Sequence, residues 1–380
     1  MRGLALADGY YRDYGCRAKE LKGEGKRIMG YFSALTPVEI ISAAGFIPVR
    51  MKGNVNEPIT KADAYMETIV CPFVRNAFDS ALKGKFDFLD GIVIPHTCDS
   101  FSRTYDIWTY NLQVPYSHFL NIPHLTDDPS LEFFKEVLAT FIKTLERVTG
   151  IKISEKCLVD EVKTYNKNRE AMRQLYGLRR SDPPLISGVE MTKVLAAAMS
   201  LPSDESTDLI SQVIEEVKRR EKTPGEKSAR IMIVADQIDD IALVEIIEKA
   251  GGQMVMDETS IGSKVYWSDV EVTQKPIDGI AEHYLRKIKF PTIYRDTGTT
   301  YQDNLEARFG HIRQLVKDFK INGVILFIYR YCDPYGFEVP ATKYYIESLG
   351  IPVLYLEDEY STSTLARLKT RIEAFLEMIG

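Results

Sequence analysis

"RIMGYFSALTPVEIISAAGFIPVRM", Arg27 to Met51, reads as an apolar strand, a short loop, a helix stopped by Ala-Gly and a second apolar strand. "RIMIVADQIDDIALVEIIEKAGGQMVMDE", Arg230 to Glu258, reads the same way in the same order. Both are βαβ units. The likeness continues downstream: "FDFLDGIVIPHTCDS" (Phe86 to Ser100) is matched by "FKINGVILFIYRYCDP" (Phe319 to Pro334). Each gives a helix end, an Asp/Asn-Gly turn, a buried strand and then Cys-Asp. A further X-Pro strand follows in each, "VPYSHFLNIPH" and "IPVLYLEDEY". Continuous apolar runs alternating with helices call for parallel sheets covered on both faces and joined by right-handed crossovers. Shared βαβ grammar could produce some of this echo, but the repeated Cys-Asp step favours duplication.

The expected fold class is therefore α/β: two similar Rossmann- or flavodoxin-like lobes with parallel sheets, plus an intervening helical region. The expected domains are 1–128, holding Cys71 and Cys98, then helices and a linker over 129–226, then a second lobe over 227–380 holding Cys332. Between the lobes "DPSLEFFKEVLATFIKTLERVTG" has apolar residues at three-and-four spacing, with Ser130 as expected N-cap and Gly150 as stop. "SEKCLVDEVKTYNKNREAMRQLYGLRR" and "STDLISQVIEEVKRREK" follow the same period, and "KTPGEKSAR" reads as the linker into the second lobe. The C-terminal "TSTLARLKTRIEAFLEMIG" reads as an amphipathic helix capped within 361–363.

With 380 residues, 45% hydrophobic and 27% charged, the chain has the composition of a globular protein with room for two or three domains. A net charge of -6 gives no electrostatic footprint for nucleic acid, so none is expected as a partner. "MRGLALADGYYRDYG" has no apolar signal region, and no apolar run approaches the roughly 18–20 residues of a membrane span. The expectation is a cytoplasmic protein with no membrane partner. Five scattered cysteines do not make a disulfide framework, which leaves inert thiols or ligands.

Cys157 sits inside a helical pattern where a small apolar residue is wanted, and Cys16 lies in a polar segment; both read as packing. Cys71 precedes Pro72 in "ETIVCPFVRNAFDSALKG", and proline favours the first helical position, so Cys71 falls near an N-cap where helix N–H groups favour a thiolate. Cys98 and Cys332 each follow a predicted parallel strand at its carboxyl end, the edge on which open α/β sheets build their sites. Three such thiols leave three readings open: an iron–sulfur cluster, zinc completed by His96, or no metal. The paired Cys-x2-4-Cys zinc spacing is absent, whereas clusters accept widely separated cysteines.

Taken together, "GYFSALTPVEIISAAGFIPVRM", "CPFVRNAFDSALKG", "PHTCDSFSRTYDIW", "YNKNREAMRQLYGLRRSDPPLISG" and "YRYCDPYGFEVPATKYYIESLGIPVLYLEDEY" resemble the 2-hydroxyacyl-CoA dehydratase and benzoyl-CoA reductase family over nearly the whole chain. The resemblance implies one [4Fe-4S] cluster between the lobes, held by the three family cysteines at Cys71, Cys98 and Cys332. A branch with a double-cubane cluster needs extra cysteines where this chain has "IVADQIDD" and "VMDETSIG", and is disfavoured. The aromatic-rich "FSRTYDIWTYNL" and "YRYCDPYGFEVP" look most like the smaller, C-type cluster-bearing subunit of the ATP-dependent class I benzoyl-CoA reductases. The implied function is passage of low-potential single electrons to a CoA thioester through a ketyl radical anion. The alternatives are radical dehydration of a 2-hydroxyacyl-CoA or a non-catalytic relay.

No phosphate-loop motif is present, so the resemblance implies a separate ATP-hydrolysing iron–sulfur activator, alongside a larger homologous cluster-bearing subunit and an acyl-CoA substrate. Around the cysteines, His96, Asp99 and Ser33 are the candidate catalytic residues. Strand-end packing for His96 and helix capping for Asp99 stand beside those roles. Glu39 completes a Thr36-x-x-Glu39 capping-box pattern. Arg75 would either offset cluster charge or pair with a carboxylate. Tyr331 and Tyr335 are expected to pack around Cys332.

Overall fold

The computed structural model describes residues 3–220, 228–295 and 300–380. The expected linker falls largely on 221–227, outside the described residues. Two four-stranded sheets form, both fully parallel. The first comprises β1 (Arg27–Tyr31), β2 (Phe46–Arg50), β3 (Gly91–Pro95) and β4 (Ser117–Leu120), in the order β2-β1-β3-β4. The second comprises β5 (Arg230–Val234), β6 (Gln253–Glu258), β7 (Gly323–Tyr329) and β8 (Val353–Asp358), in the order β6-β5-β7-β8. The expected α/β class with two flavodoxin-like lobes is what the chain adopts. In each sheet the order reverses between the first and third strands of the lobe, which opens a crevice beyond their carboxyl ends.

One local device recurs and shows why the echo holds. Asp90, just before Gly91, donates its backbone N–H to the Ile28 carbonyl and accepts the Ile28 N–H on its carboxylate at 2.8 Å. Asn322, just before Gly323, does the same for Arg230, also at 2.8 Å. In both lobes an Asx side chain thus fixes the register of the third strand against the first. Gly91 is needed in this arrangement, because a Cβ there would come within 3.0 Å of the Tyr116 carbonyl.

The connecting helices bind the lobes into one body. The helix Glu155–Gly177, capped by Ser154, touches the first lobe through Tyr165 and Ser42, whose hydroxyls lie 2.8 Å apart. It touches the second through Tyr176, whose hydroxyl donates to Asp257 at 2.5 Å. The N-terminal helix Gly3–Arg12 crosses to the helices Gly188–Ala198 and Ser203–Lys218, with Lys193 bonded to Asp8 at 2.6 Å. A continuous apolar cluster runs from Ile28 and Phe32 of the first lobe to Ile231 and Phe327 of the second. Phe73 and Tyr360 bridge it edge to face, their ring centroids 5.4 Å apart.

Two capping expectations are corrected. The helix Asp128–Thr149 is capped by Asp127, whose carboxylate accepts the Ser130 N–H; Ser130 lies inside the first turn. Gly150 does end that helix, with φ at 71°. Glu39 does not close a capping box, because Pro37 occupies the cap of the helix Val38–Ala43 without a side-chain bond. The C-terminal helix Leu365–Ile379 follows a 3-10 turn in which Ser361 accepts the Ser363 N–H. Among the described residues no helix is long and apolar enough to cross a membrane.

Candidate functional site

Cys71, Cys98 and Cys332 occupy the same structural position three times: each is the N-cap of a helix, of Pro72–Leu82, Asp99–Asn111 and Asp333–Ser348 respectively. Cys98 lies three residues beyond the end of β3 and Cys332 three beyond the end of β7. Strand exit and helix start therefore coincide, as the parallel topology requires. No thiol makes a cap hydrogen bond, yet first-turn N–H groups face each sulfur: those of Phe73 and Val74 for Cys71, Ser100 and Phe101 for Cys98, and Tyr335 for Cys332. All three residues keep some exposed surface.

The thiols share one electrostatic neighbourhood. Burial is the main cause that pushes Cys71 up to about 12, and the proximity of Cys98 adds to it. Burial likewise pushes Cys98 up to about 11. Cys332 is pushed well above the ordinary thiol range, first by burial and then by Cys71, Asp236 and Cys98. Without a cation the three stay neutral, so binding of a metal or cluster would release protons. The backbone bends sharply to bring Cys332 here: Tyr331, just before it, holds φ at 65°, the left-handed region that a non-glycine residue occupies at a cost.

Among the described residues no three His, Cys, Asp or Glu side chains converge closely enough to hold one metal ion, so the zinc set of the three thiols and His96 is not formed. A cluster spreads its ligands over several irons and asks for soft, separated thiolates instead. Cys71 and Cys98 pack against one apolar cluster and Cys332 against another, each with a helix N–H turned to its sulfur. Cys157 and Cys16 stand apart. The Cys157 sulfur lies 3.7 Å from the Ala43 carbonyl in a helix packing, and Cys16 begins the helix Cys16–Gly23.

The other expected residues divide. Ser33, at the exit of β1, is buried and lines a small, mainly apolar cavity into which Thr36, Arg50 and Arg169 also reach; its Oγ accepts the Leu35 N–H at 3.2 Å. His96 turns toward the β4 edge, 3.4 Å from Asn121 Oδ1 and beside the rings of Phe119 and His124. Asp99 is exposed on the first turn of its helix, facing Arg103 at 3.5 Å. Arg75 takes the structural alternative, pairing with Asp63 and donating to the Thr68 carbonyl. Tyr335 is buried against Phe290 beside Cys332, whereas Tyr331 is 44% exposed.

Two clusters were not legible in the sequence pattern. Asp236, two residues past β5, carries the carboxylate whose charge raises the pKa of all three thiols. Ser260 Oγ donates to it at 2.6 Å, the Gln237 amide lies 3.3 Å away, and Gln237 in turn accepts from Arg50 at 2.6 Å. Burial raises the Asp236 pKa. These residues belong to the two loops that lack the double-cubane cysteines; their position at a strand exit was the available signal. Glu39, wholly buried, pairs with Arg169 at 2.5 Å and accepts the Tyr284 hydroxyl at 2.8 Å. Its partners lie far along the chain, which is why only the local capping pattern was visible.

The sequence model of a family described as "2-hydroxyglutaryl-CoA dehydratase, D-component" matches residues 34–379. The chain is 26% identical to the (R)-phenyllactyl-CoA dehydratase beta subunit of Clostridium sporogenes, over 95% of this chain and 94% of that one. It is 22% identical to the C-type subunit of benzoyl-CoA reductase of Thauera aromatica, over 99% and 97%. It is 24% identical to the beta subunit of (R)-2-hydroxyglutaryl-CoA dehydratase of Acidaminococcus fermentans, over 94% of each. The alpha subunit of that last enzyme is itself 19% identical, over 73% of this chain and 56% of that one.

Proposed function

This chain belongs to the 2-hydroxyglutaryl-CoA dehydratase D-component family, and from that premise we propose that it is the cluster-bearing subunit of a radical CoA-thioester enzyme, with Cys71, Cys98 and Cys332 holding one [4Fe-4S] cluster. The observation that supports this reading is that three N-cap cysteines, two from the first lobe and one from the second, each stand at the start of a helix and are close enough to raise one another's pKa. Such a cluster, when bound, supplies single electrons at low potential, which no side chain can do.

The chain's own residues supply the setting. Phe32, Phe73 and Tyr360 are buried in the apolar cluster against which Cys71 and Cys98 pack. Ser260 and Gln237 each donate to the Asp236 carboxyl and hold it in place. Three cysteines would hold such a cluster without supplying a fourth ligand from this chain, which suits chemistry better than storage.

The reaction favoured is dehydration of a 2-hydroxyacyl-CoA, on the higher identity to dehydratase beta subunits. Reduction of an aryl-CoA is the second reading, supported by the nearly end-to-end match to the reductase subunit. The partner is a homologous alpha-type subunit, since this chain resembles both subunits of one dehydratase. A separate ATP-hydrolysing activator supplies the electron. Anaerobic co-purification with those partners should give about four irons per chain. Turnover of a 2-hydroxyacyl-CoA but not of benzoyl-CoA would establish the dehydratase; the reverse would establish the reductase. Iron content indifferent to the three cysteines would sink both.

A further inference from the structure

A cavity of about 50 Å³ lies where the first lobe, the bridging helix Glu155–Gly177 and the turn after the helix Pro276–Glu282 meet. Its walls are mostly apolar, with Val38, Pro48, Ala198 and Val265 among them. Four polar residues set into those walls are no more than 3% exposed. Thr36 comes from the loop after β1, and Arg50 ends β2. Arg169 belongs to the bridging helix, and His283 opens the π-helical turn His283–Lys287. Each carries a buried side-chain atom without a hydrogen-bond partner among the described residues: Thr36 Oγ1, Arg50 Nε, Arg169 Nε and His283 Nε2. One such atom is costly, and four around one small space call for an occupant that supplies the missing partners. The π-helical turn at the edge agrees with this, since such turns gather at functional sites.

The donors and the charge identify the class of occupant. A guanidinium Nε–H only donates, so two of the four atoms require an acceptor, and the Thr36 hydroxyl can donate to the same one. Burial pushes His283 far below the ordinary histidine range, so it adds no charge. Two guanidinium groups remain against one carboxylate, and Glu39 has both oxygens engaged: Oε1 accepts from Arg169 at 2.5 Å and Oε2 from the Tyr284 hydroxyl at 2.8 Å. Arg50 donates to the Gln237 side chain at 2.6 Å and to the Ser260 carbonyl at 3.3 Å, with no carboxylate in ion-pair contact among the described residues. Asp236 and Asp239 feel its charge from further away. Water would supply acceptors yet leave the surplus positive charge buried, whereas a monoanion answers both needs. At roughly 10–15 Å³ for each water-sized atom, the space admits about three or four heavy atoms, too few for a phosphate or an acyl chain. Guanidinium edges favour a planar oxyanion.

We propose that this cavity is a site for a small planar monoanion of the formate or bicarbonate class, held by Thr36, Arg50 and Arg169, which fastens the first lobe to the bridging helix. The inference rests on the cavity and is independent of the cluster. The test is equilibrium dialysis of radiolabelled formate against the full chain as purified. The expected result is saturable binding at a single site, displaced by bicarbonate but not by butyrate or sulfate. Thr36→Val removes a hydroxyl that bonds nothing in the protein, so it should leave the formate-free melting temperature unchanged and weaken formate about fivefold. Arg50→Lys keeps the charge and loses the Nε–H, and should weaken formate about tenfold or more. If Arg50→Lys does not fold, Thr36→Val decides alone. Formate that saturates the wild-type chain should also raise its melting temperature, and raise that of either variant less. Absence of saturable formate binding would overturn the site and leave the cavity to water. Binding undiminished by the substitutions would put the anion elsewhere and overturn it equally. Sulfate or butyrate displacing formate as well as bicarbonate does would overturn the small planar class.

Discussion

The two lobes share a strand order and an Asx register bond, yet they present different chemistry at the same edge. Two residues past its first strand the first lobe has Ser33, while the second has Asp236, whose charge raises the pKa of the thiols. The helix before the third strand is capped in the first lobe by Cys71, with no cap bond. In the second it is capped by Thr300, which forms a full box with Asp303. The second lobe's third strand, β7, is seven residues long against five for β3, which carries Cys332 two residues further from its Asx turn than Cys98 stands from its own. A shift of two keeps the side chain on the same face. The lesson is that the scaffold assigns positions and the residue there assigns chemistry. A cap oxygen that spends its lone pair on its own helix is structural, whereas a cap sulfur that makes no such bond is left for something else.

The largest effect should come from erasing that contrast. Cys71→Thr gives the first lobe the second lobe's cap, and is expected to keep the fold by circular dichroism while iron falls from about four per chain to near zero. Retention of iron would break the comparison.

Next come the two ties to the bridging helix. Glu39 and Arg169 are both buried, so Glu39→Gln leaves an uncompensated guanidinium and should cost about 3–5 kcal/mol in urea unfolding. In the other lobe Tyr176→Phe leaves Asp257 bonded to Thr259 and Ser263, and should cost only about 1–2 kcal/mol. Equal losses would show that the lobes are tied with equal strength.

A smaller difference separates the edge strands. His118 of β4 stands where β8 has Leu354, opposite equivalent residues of β3 and β7. Burial lowers the His118 pKa to about 4. Between its unfolded value near 6.5 and about 4 the unfolded chain binds the extra proton. The stability tied to neutral His118 is therefore complete above pH 6.5 and is lost as pH falls toward 4, at most about 3 kcal/mol in all. His118→Leu should flatten that part of the pH profile, leaving the fall due to buried His283, whose pKa is lowered in the same direction. An unchanged profile would show that His118 is solvated.

The smallest effect is expected at Asp99. Its carboxylate is exposed and its partner Arg103 is one turn along the same helix, so Asp99→Ala should change stability by less than about 0.5 kcal/mol and leave iron content intact. A loss of activity with iron retained would return Asp99 to the reacting groups.

Much of this protein was legible in the chain because it depends on neighbours. Apolar runs of strand length, Gly45 and Gly150 as stops, Asx-Gly before each third strand and Cys-Asp after it are local patterns with local causes. They determined the parallel α/β class, its repetition, and the placing of Cys98 and Cys332 at strand exits. The tertiary structure alone decided what meets what: Glu39 with Arg169 and Tyr284, Asp236 with cysteines of both lobes, and Arg50 with Arg169 around one cavity. The physical reason is that hydrogen bonds along strands and helices are set by short-range backbone geometry. The worth of a charge depends instead on its burial and on partners that only the closed fold brings within reach.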